Sequence, residues 1–200
     1  MEKIFVIGCN KAGTSFFHSR FLTHGLKSQH NTCWNLNAYD CFSDGGDLQD
    51  IKYLDKTFPK AIFILNTRPL FDWLVSRVTH GYKYRQNWSH PFSHEKCLSW
   101  IKLREKHHLF TLDFFKKNKN HFYICDISQK ENITETLDLL GIKSNDIKPR
   151  HKNSSFTISK EHLDIIYDCF SDLKYSVESQ KTTLVKSLEQ TNFYLDFYKK

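Results

Sequence analysis

Near the start of the chain, two glycines, a lysine and two hydroxyl residues stand in a spacing that suits an anion: Gly8-Cys9-Asn10-Lys11-Ala12-Gly13-Thr14-Ser15. From Gly8 to Gly13 the run fits the G-x-x-x-x-G-K-[ST] pattern of a phosphate-cradling loop. Thr14, however, takes the usual position of the lysine, and the cation is Lys11, inside the loop. Ile4, Phe5, Val6 and Ile7 in front of it read as a strand, and Phe17 and Phe21 behind it recur at helical spacing. At a strand-to-helix junction the N–H groups of Gly13, Thr14 and Ser15 have no carbonyl of their own helix to bond, and the helix dipole favours negative charge. The loop predicts a bound anion, and the displaced lysine argues against ordinary ATP hydrolysis.

A second group lies further along. Arg68 follows the apolar run Ala61, Ile62, Phe63, Ile64, Leu65 and precedes Pro69, which puts it at the carboxyl end of a strand, where open α/β sheets bind ligands. Ser76, two helical turns on, would bring a hydroxyl within reach of the same phosphate. A basic turn, Lys148-Pro149-Arg150-His151-Lys152-Asn153, could lay Arg150 and Lys152 over further phosphate oxygens.

Together these motifs resemble the sulfotransferase branch of the P-loop superfamily. Its 5′-phosphosulfate loop reads roughly [PN]-[KR]-x-G-T-[ST], matched by Asn10 to Ser15, and its arginine and serine follow a pattern like R-[DN]-P-x(5)-S. Arg68, Pro69 and Ser76 match the second pattern without the acidic or Asn residue between Arg and Pro. The segment ending in Asn153 and Ser155 is similar to the family's P-H-x-N-x-S run, with Arg150 inserted. The resemblance spans roughly residues 3–175. It implies a three-layer P-loop α/β fold around a mostly parallel sheet. It also implies transfer of a sulfuryl group from 3′-phosphoadenosine 5′-phosphosulfate to a hydroxyl or amine of a small-molecule or glycan acceptor, with no metal. In that reading Asn10, Lys11, Ala12, Gly13, Thr14 and Ser15 hold the 5′-phosphate, and Lys11 also steadies charge on the bridging oxygen. Arg68 and Ser76 take the 3′-phosphate, and Arg150, Lys152 and Asn153 assist. The family often draws its general base from the second strand or just after it, which points to His30, with Asp44 as the second candidate. A histidine suits the task because its pKa lies near neutrality.

Two rival functions stay open. A P-loop kinase of small molecules or nucleotides would need magnesium and a lysine at position 14; the strand over residues 62–66 runs into Thr67 and Arg68 without the aspartate that would hold the metal. A non-enzymatic nucleic-acid binder is favoured by charge alone, its best patch being Tyr82, Lys83, Tyr84 and Arg85, and no recognised nucleic-acid motif accompanies it.

The elements that must carry these residues follow from pattern. Two hundred residues suit one domain. Lys and Arg number 29 against 22 Asp and Glu, a net charge of +7 that favours a polyanionic ligand. The six cysteines include no C-x-x-C pair, which suggests reduced thiols. The first strand starts at the third residue, leaving no room for a signal peptide. No stretch of about 18 apolar residues occurs either, so a cytoplasmic protein without a membrane span is expected. Helices are expected over residues 14–24, closed by Gly25, and over 47–58, 70–84, 91–119 and 131–140. Strands are expected at 26–30, at 61–66 in the centre of the sheet, and at 122–126. Residues 31–46 show no period and read as a substrate-side loop. On the helix over 70–84, Asp72, Ser76, Thr79 and Lys83 should lie opposite the buried Leu70, Trp73, Leu74 and Val78. His107 and His108 read as residues of an amphipathic helix rather than metal ligands. Terminal helices at 157–175, with Leu163, Ile166, Tyr167 and Phe170 as core, and at 182–198 complete the chain; the last could dock on the domain or on a second copy in a homodimer.

Overall fold

A computed structural model describes residues 2–30, 34–45, 50–84, 91–116, 122–143 and 158–175. The elements in chain order are β1 (Ile4–Val6), α1 (Thr14–Thr23), β2 (Ser28–His30), β3 (Cys41–Ser43), α2 (Ile51–Thr57), β4 (Ile62–Thr67), α3 (Leu70–Tyr84), α4 (His94–Phe115), β5 (Phe122–Asp126), α5 (Lys130–Leu139) and α6 (Lys160–Asp172). The five strands form one parallel sheet in the order β2-β3-β1-β4-β5.

Side chains alternate across a strand, so each strand feeds two layers. On one face Ile4, Val6, Cys41, Ile64 and Cys125 meet Phe17 and Phe21 of α1 and Ile133 and Leu137 of α5. The other face carries an aromatic row: Phe42, Phe5, Phe63 and Phe122 are register partners across β3, β1, β4 and β5. Adjacent rings in it lie 5.1 and 5.3 Å apart on either side of Phe5, and Phe58 after α2 and Phe115 of α4 cover the row. The result is the three-layer α/β architecture, with helices on both faces of an all-parallel sheet.

Two compact units divide these elements. One holds the sheet with α1, α2, α5 and the end of α4; the other holds α3, most of α4, and α6. In the second unit α3 and α6 pack on each other, and Phe92 sits against Trp100 and His162.

Several expectations are corrected. Residues 41–43, read as loop, form β3, the strand between β2 and β1. Three residues are too few to display a period, and their burial is imposed by neighbouring strands. β4 is interior, but β1 holds the middle of the sheet. An unbroken apolar run reports two covered faces, a condition every interior strand meets. Thr79 is buried, its hydroxyl donating to the Val75 carbonyl at 2.7 Å, and that bond is what lets a polar side chain leave solvent. Tyr167 is half exposed and lies on Phe71, while Ile166, Cys169 and Phe170 supply the buried face of α6. On α4, Leu109 and Phe110 are exposed, whereas Arg104, His107, His108 and Thr111 are buried. The expected helix at 182–198 and the patch residue Arg85 lie outside the described residues.

Candidate anion loop and histidine site

The loop after β1 is braced from β4. Asn66, fully buried at the end of that strand, accepts the Gly8 N–H on Oδ1 and donates from Nδ2 to the Ala12 carbonyl, both at 2.8 Å. One side chain thus ties the two limbs of the loop. The fit requires glycine at position 8, where a Cβ would stand 1.9 Å from the Asn66 carbonyl oxygen. Inside the loop the Ala12 N–H donates to the Cys9 carbonyl at 3.0 Å. Lys11 (φ 71°) and Gly13 (φ 100°) take left-handed conformations that curl the chain into α1. A Cβ on Gly13 would also meet Ile127 Cδ1 at 2.5 Å. The Gly13 carbonyl accepts from Phe16 and Phe17, which starts the helix with no side-chain cap.

Sheet order gives this place its meaning. The connection from β1 runs toward β2 and that from β4 toward β5, so the carboxyl ends of β1 and β4 are where the topology reverses, the usual ligand crevice of open α/β sheets. Gly8 and Asn66 stand at those two ends.

Beside the loop lies a polar cluster. Thr14 Oγ1 donates to Asp44 Oδ1 at 3.3 Å, and Ser15 Oγ lies 3.1 Å from His30 Nε2. The other His30 nitrogen, Nδ1, is 2.9 Å from Ser43 Oγ, and Asp44 Oδ2 stands 3.7 Å from Nε2. His18, three residues after Ser15 on α1, stacks on His30 with ring centres 5.2 Å apart and is held by Ser28 Oγ at 2.8 Å from its Nδ1. Burial pushes the His30 pKa below its ordinary value; Asp44 opposes this and Lys11 adds to it. His18 is lowered by burial and then by His30. At neutral pH His30 is therefore an unprotonated imidazole, able to accept a proton beside an anion-binding helix terminus. The arrangement is not a hydrolase triad. There the carboxylate orients the imidazole through the nitrogen away from the nucleophile, whereas Asp44 sits on the same side as Ser15 and Nδ1 faces Ser43.

Of the sequence-predicted residues, Thr14, Ser15, His30 and Asp44 come together by direct contacts, and Lys11 acts on His30 through its charge. Ala12 contributes its carbonyl to the Asn66 brace, Gly13 its conformation, and Asn10 is half-buried within the loop. Arg68 and Ser76 belong to the second unit. Arg68 follows β4 directly, its carbonyl accepting from Arg104 Nη2 at 2.6 Å, and Ser76 is half-buried in the second turn of α3. Around them Arg77 lies over Trp73 and Trp100 at 5.3 and 4.7 Å, and Arg104 over Trp73 at 5.1 Å. Arg150, Lys152 and Asn153 lie outside the described residues. A hollow of about 650 Å³ lined by Ile4, His24, Leu26 and Ile62 opens at the amino ends of the strands, opposite the loop.

Sequence reasoning missed Asn66, His18 and Ser43. The signal for Asn66 is a polar residue ending an otherwise apolar strand. For the cluster it is a pairing of periods: Ser15 and His18 share a helix face, Ser28 and His30 a strand face, and each serine meets the other element's histidine. One consequence touches magnesium. The end of β4 offers no aspartate, but β3, absent from the sequence reading, leads directly into Asp44.

No family model, curated protein or solved structure matches the chain. No helix among the described residues is long and apolar enough to cross a membrane.

Proposed function

We propose that the protein is a sulfotransferase of the P-loop kind, moving a sulfuryl group from 3′-phosphoadenosine 5′-phosphosulfate to a hydroxyl or amine acceptor. The observation that carries this reading is the company kept by the loop: a lysine within it rather than at position 14, and a neutral histidine bonded to its Ser15. In the reaction the acceptor oxygen or nitrogen forms a bond to sulfur while the bond from sulfur to the 5′-phosphate oxygen breaks. The acceptor's proton passes to His30 Nε2, and 3′,5′-adenosine bisphosphate departs. Lys11 offsets the negative charge that grows on the departing phosphate, and the amides of Gly13, Thr14 and Ser15 hold it, so the residues serve positioning and charge stabilisation rather than covalent catalysis.

Arg68 and Ser76 are the residues proposed to take the 3′-phosphate. Arg68→Ala should weaken 3′,5′-adenosine bisphosphate by about 1.5–3 kcal/mol, the range for charge-assisted hydrogen bonds, and leave adenosine 5′-monophosphate nearly unchanged. Titration calorimetry with both ligands decides it; equal losses would assign Arg68 a purely structural part.

A second reading, a small-molecule or nucleotide kinase, has one observation in its favour. The Thr14 hydroxyl and Asp44 carboxylate, 3.3 Å apart, are the sort of pair that holds magnesium beside a phosphate in nucleotide triphosphatases. The absence of lysine at position 14 weighs against it.

A further inference from the structure

The stacked histidines contain a second residue with a part in the chemistry, an inference that rests on the reading of His30 as the base. We propose that His18 is a positioning residue whose ring, pinned to buried Ser28 and stacked on His30, keeps His30 neutral and in the plane that presents Nε2 beside Ser15.

The argument starts from two faces. Ser15 and His18 project from one side of α1, Ser28 and His30 from one side of β2, and the four side chains bond in crossed pairs, Ser15 with His30 and His18 with Ser28. Each ring is thereby held at an edge, and the planes settle 20° from parallel. A proton on one ring opposes a proton on the other, because like charges at this separation and partial burial interact strongly. The groups that face His30 are Lys11 from the loop, Thr14, Ser15 and His18 from α1, and Ser43 and Asp44 from the end of β3. Asp44 alone favours the charged ring. Lys11 and His18 are the two cationic or potentially cationic neighbours set against it, and His18 is the one in ring contact.

The test follows the imidazole Cε1–H signals by NMR in the full chain as pH is varied. His18→Phe keeps a stacked ring of similar burial and removes the charge, so the midpoint of His30 should move upward. Reciprocity requires that His30→Phe move the His18 midpoint upward as well. In sulfuryl transfer the acid limb of the rate should follow His30 upward in His18→Phe. His18→Gln, which retains a polar group toward Ser28, should shift His30 in the same direction and serves if the Phe variant does not fold. A His30 midpoint that stays put or falls in the substituted chain overturns the proposal, since a merely structural ring would leave it unmoved. Failure of the sulfotransferase reading is a different result: the wild-type protein would not bind 3′,5′-adenosine bisphosphate, whatever the titration gives.

Discussion

Asn66 and Lys11 bring opposite consequences from the same loop. Asn66→Asp keeps the volume and the acceptor for Gly8 but loses the Nδ2 donor, setting a carboxylate against the Ala12 carbonyl. Stability should fall by about 1–3 kcal/mol, read as a lower urea midpoint at unchanged slope. Lys11 holds a left-handed φ of 71°, a conformation that costs a side-chain-bearing residue roughly 1–2 kcal/mol and glycine nothing, against roughly 0.5–1 kcal/mol for the added freedom of unfolded glycine. Lys11→Gly should therefore leave stability equal or higher while turnover falls on the order of 100-fold, the scale of losing one transition-state charge partner. A variant that loses both together would mean that Lys11 is a structural residue. Lys11, Gly13, Thr14 and Ser15 were legible because a loop that cradles an anion has a fixed residue order. Asn66 was not, because its job is to bond groups 54 and 58 positions away, which no local pattern records.

Among the elements, strands buried on both faces and helices with a clear stripe were readable: β4, β5, α1 and α5 lie within a residue or two of expectation. β3 was not, since its three residues owe their burial to β1 and β2 rather than to alternation of their own. α4 misled for another reason. Its apolar residues fall on several sides, and Arg104, His107 and His108 occupy buried positions that a stripe would assign to leucine. His108 is the sharpest case, 1% exposed with neither ring nitrogen hydrogen-bonded among the described residues, and burial, then Arg104 and His107, hold its pKa well below the ordinary value. A depressed imidazole contributes stability that is present above the unfolded value of about 6.5 and lost as pH falls toward the folded one. His108→Phe should thus gain about 1 kcal/mol at pH 7, by removing buried polar atoms without partners, and gain more below pH 6.5. Urea denaturation at pH 7.5 and 5.5 checks it: an equal change at both pH values would mean that His108 titrates alike in the folded and unfolded chains.

At the scale of the whole molecule, the parallel sheet puts the loop, His30 and Asp44 at the carboxyl ends of β1, β2 and β3, and the excess of +7 charges suits a ligand bearing several phosphates. Sheet class was legible from strands alternating with helices; strand order was not, because it depends on which crossover lands between which neighbours. The same end of the sheet would serve sulfuryl or phosphoryl transfer, and what separates them is the ligand's second phosphate and its metal. Isothermal calorimetry on the purified chain with 3′,5′-adenosine bisphosphate in EDTA, and separately with ATP and magnesium, tests this directly. The sulfotransferase account predicts that the bisphosphate binds without metal and more tightly than ATP–magnesium; tighter binding of ATP–magnesium, with none of the bisphosphate, would contradict it.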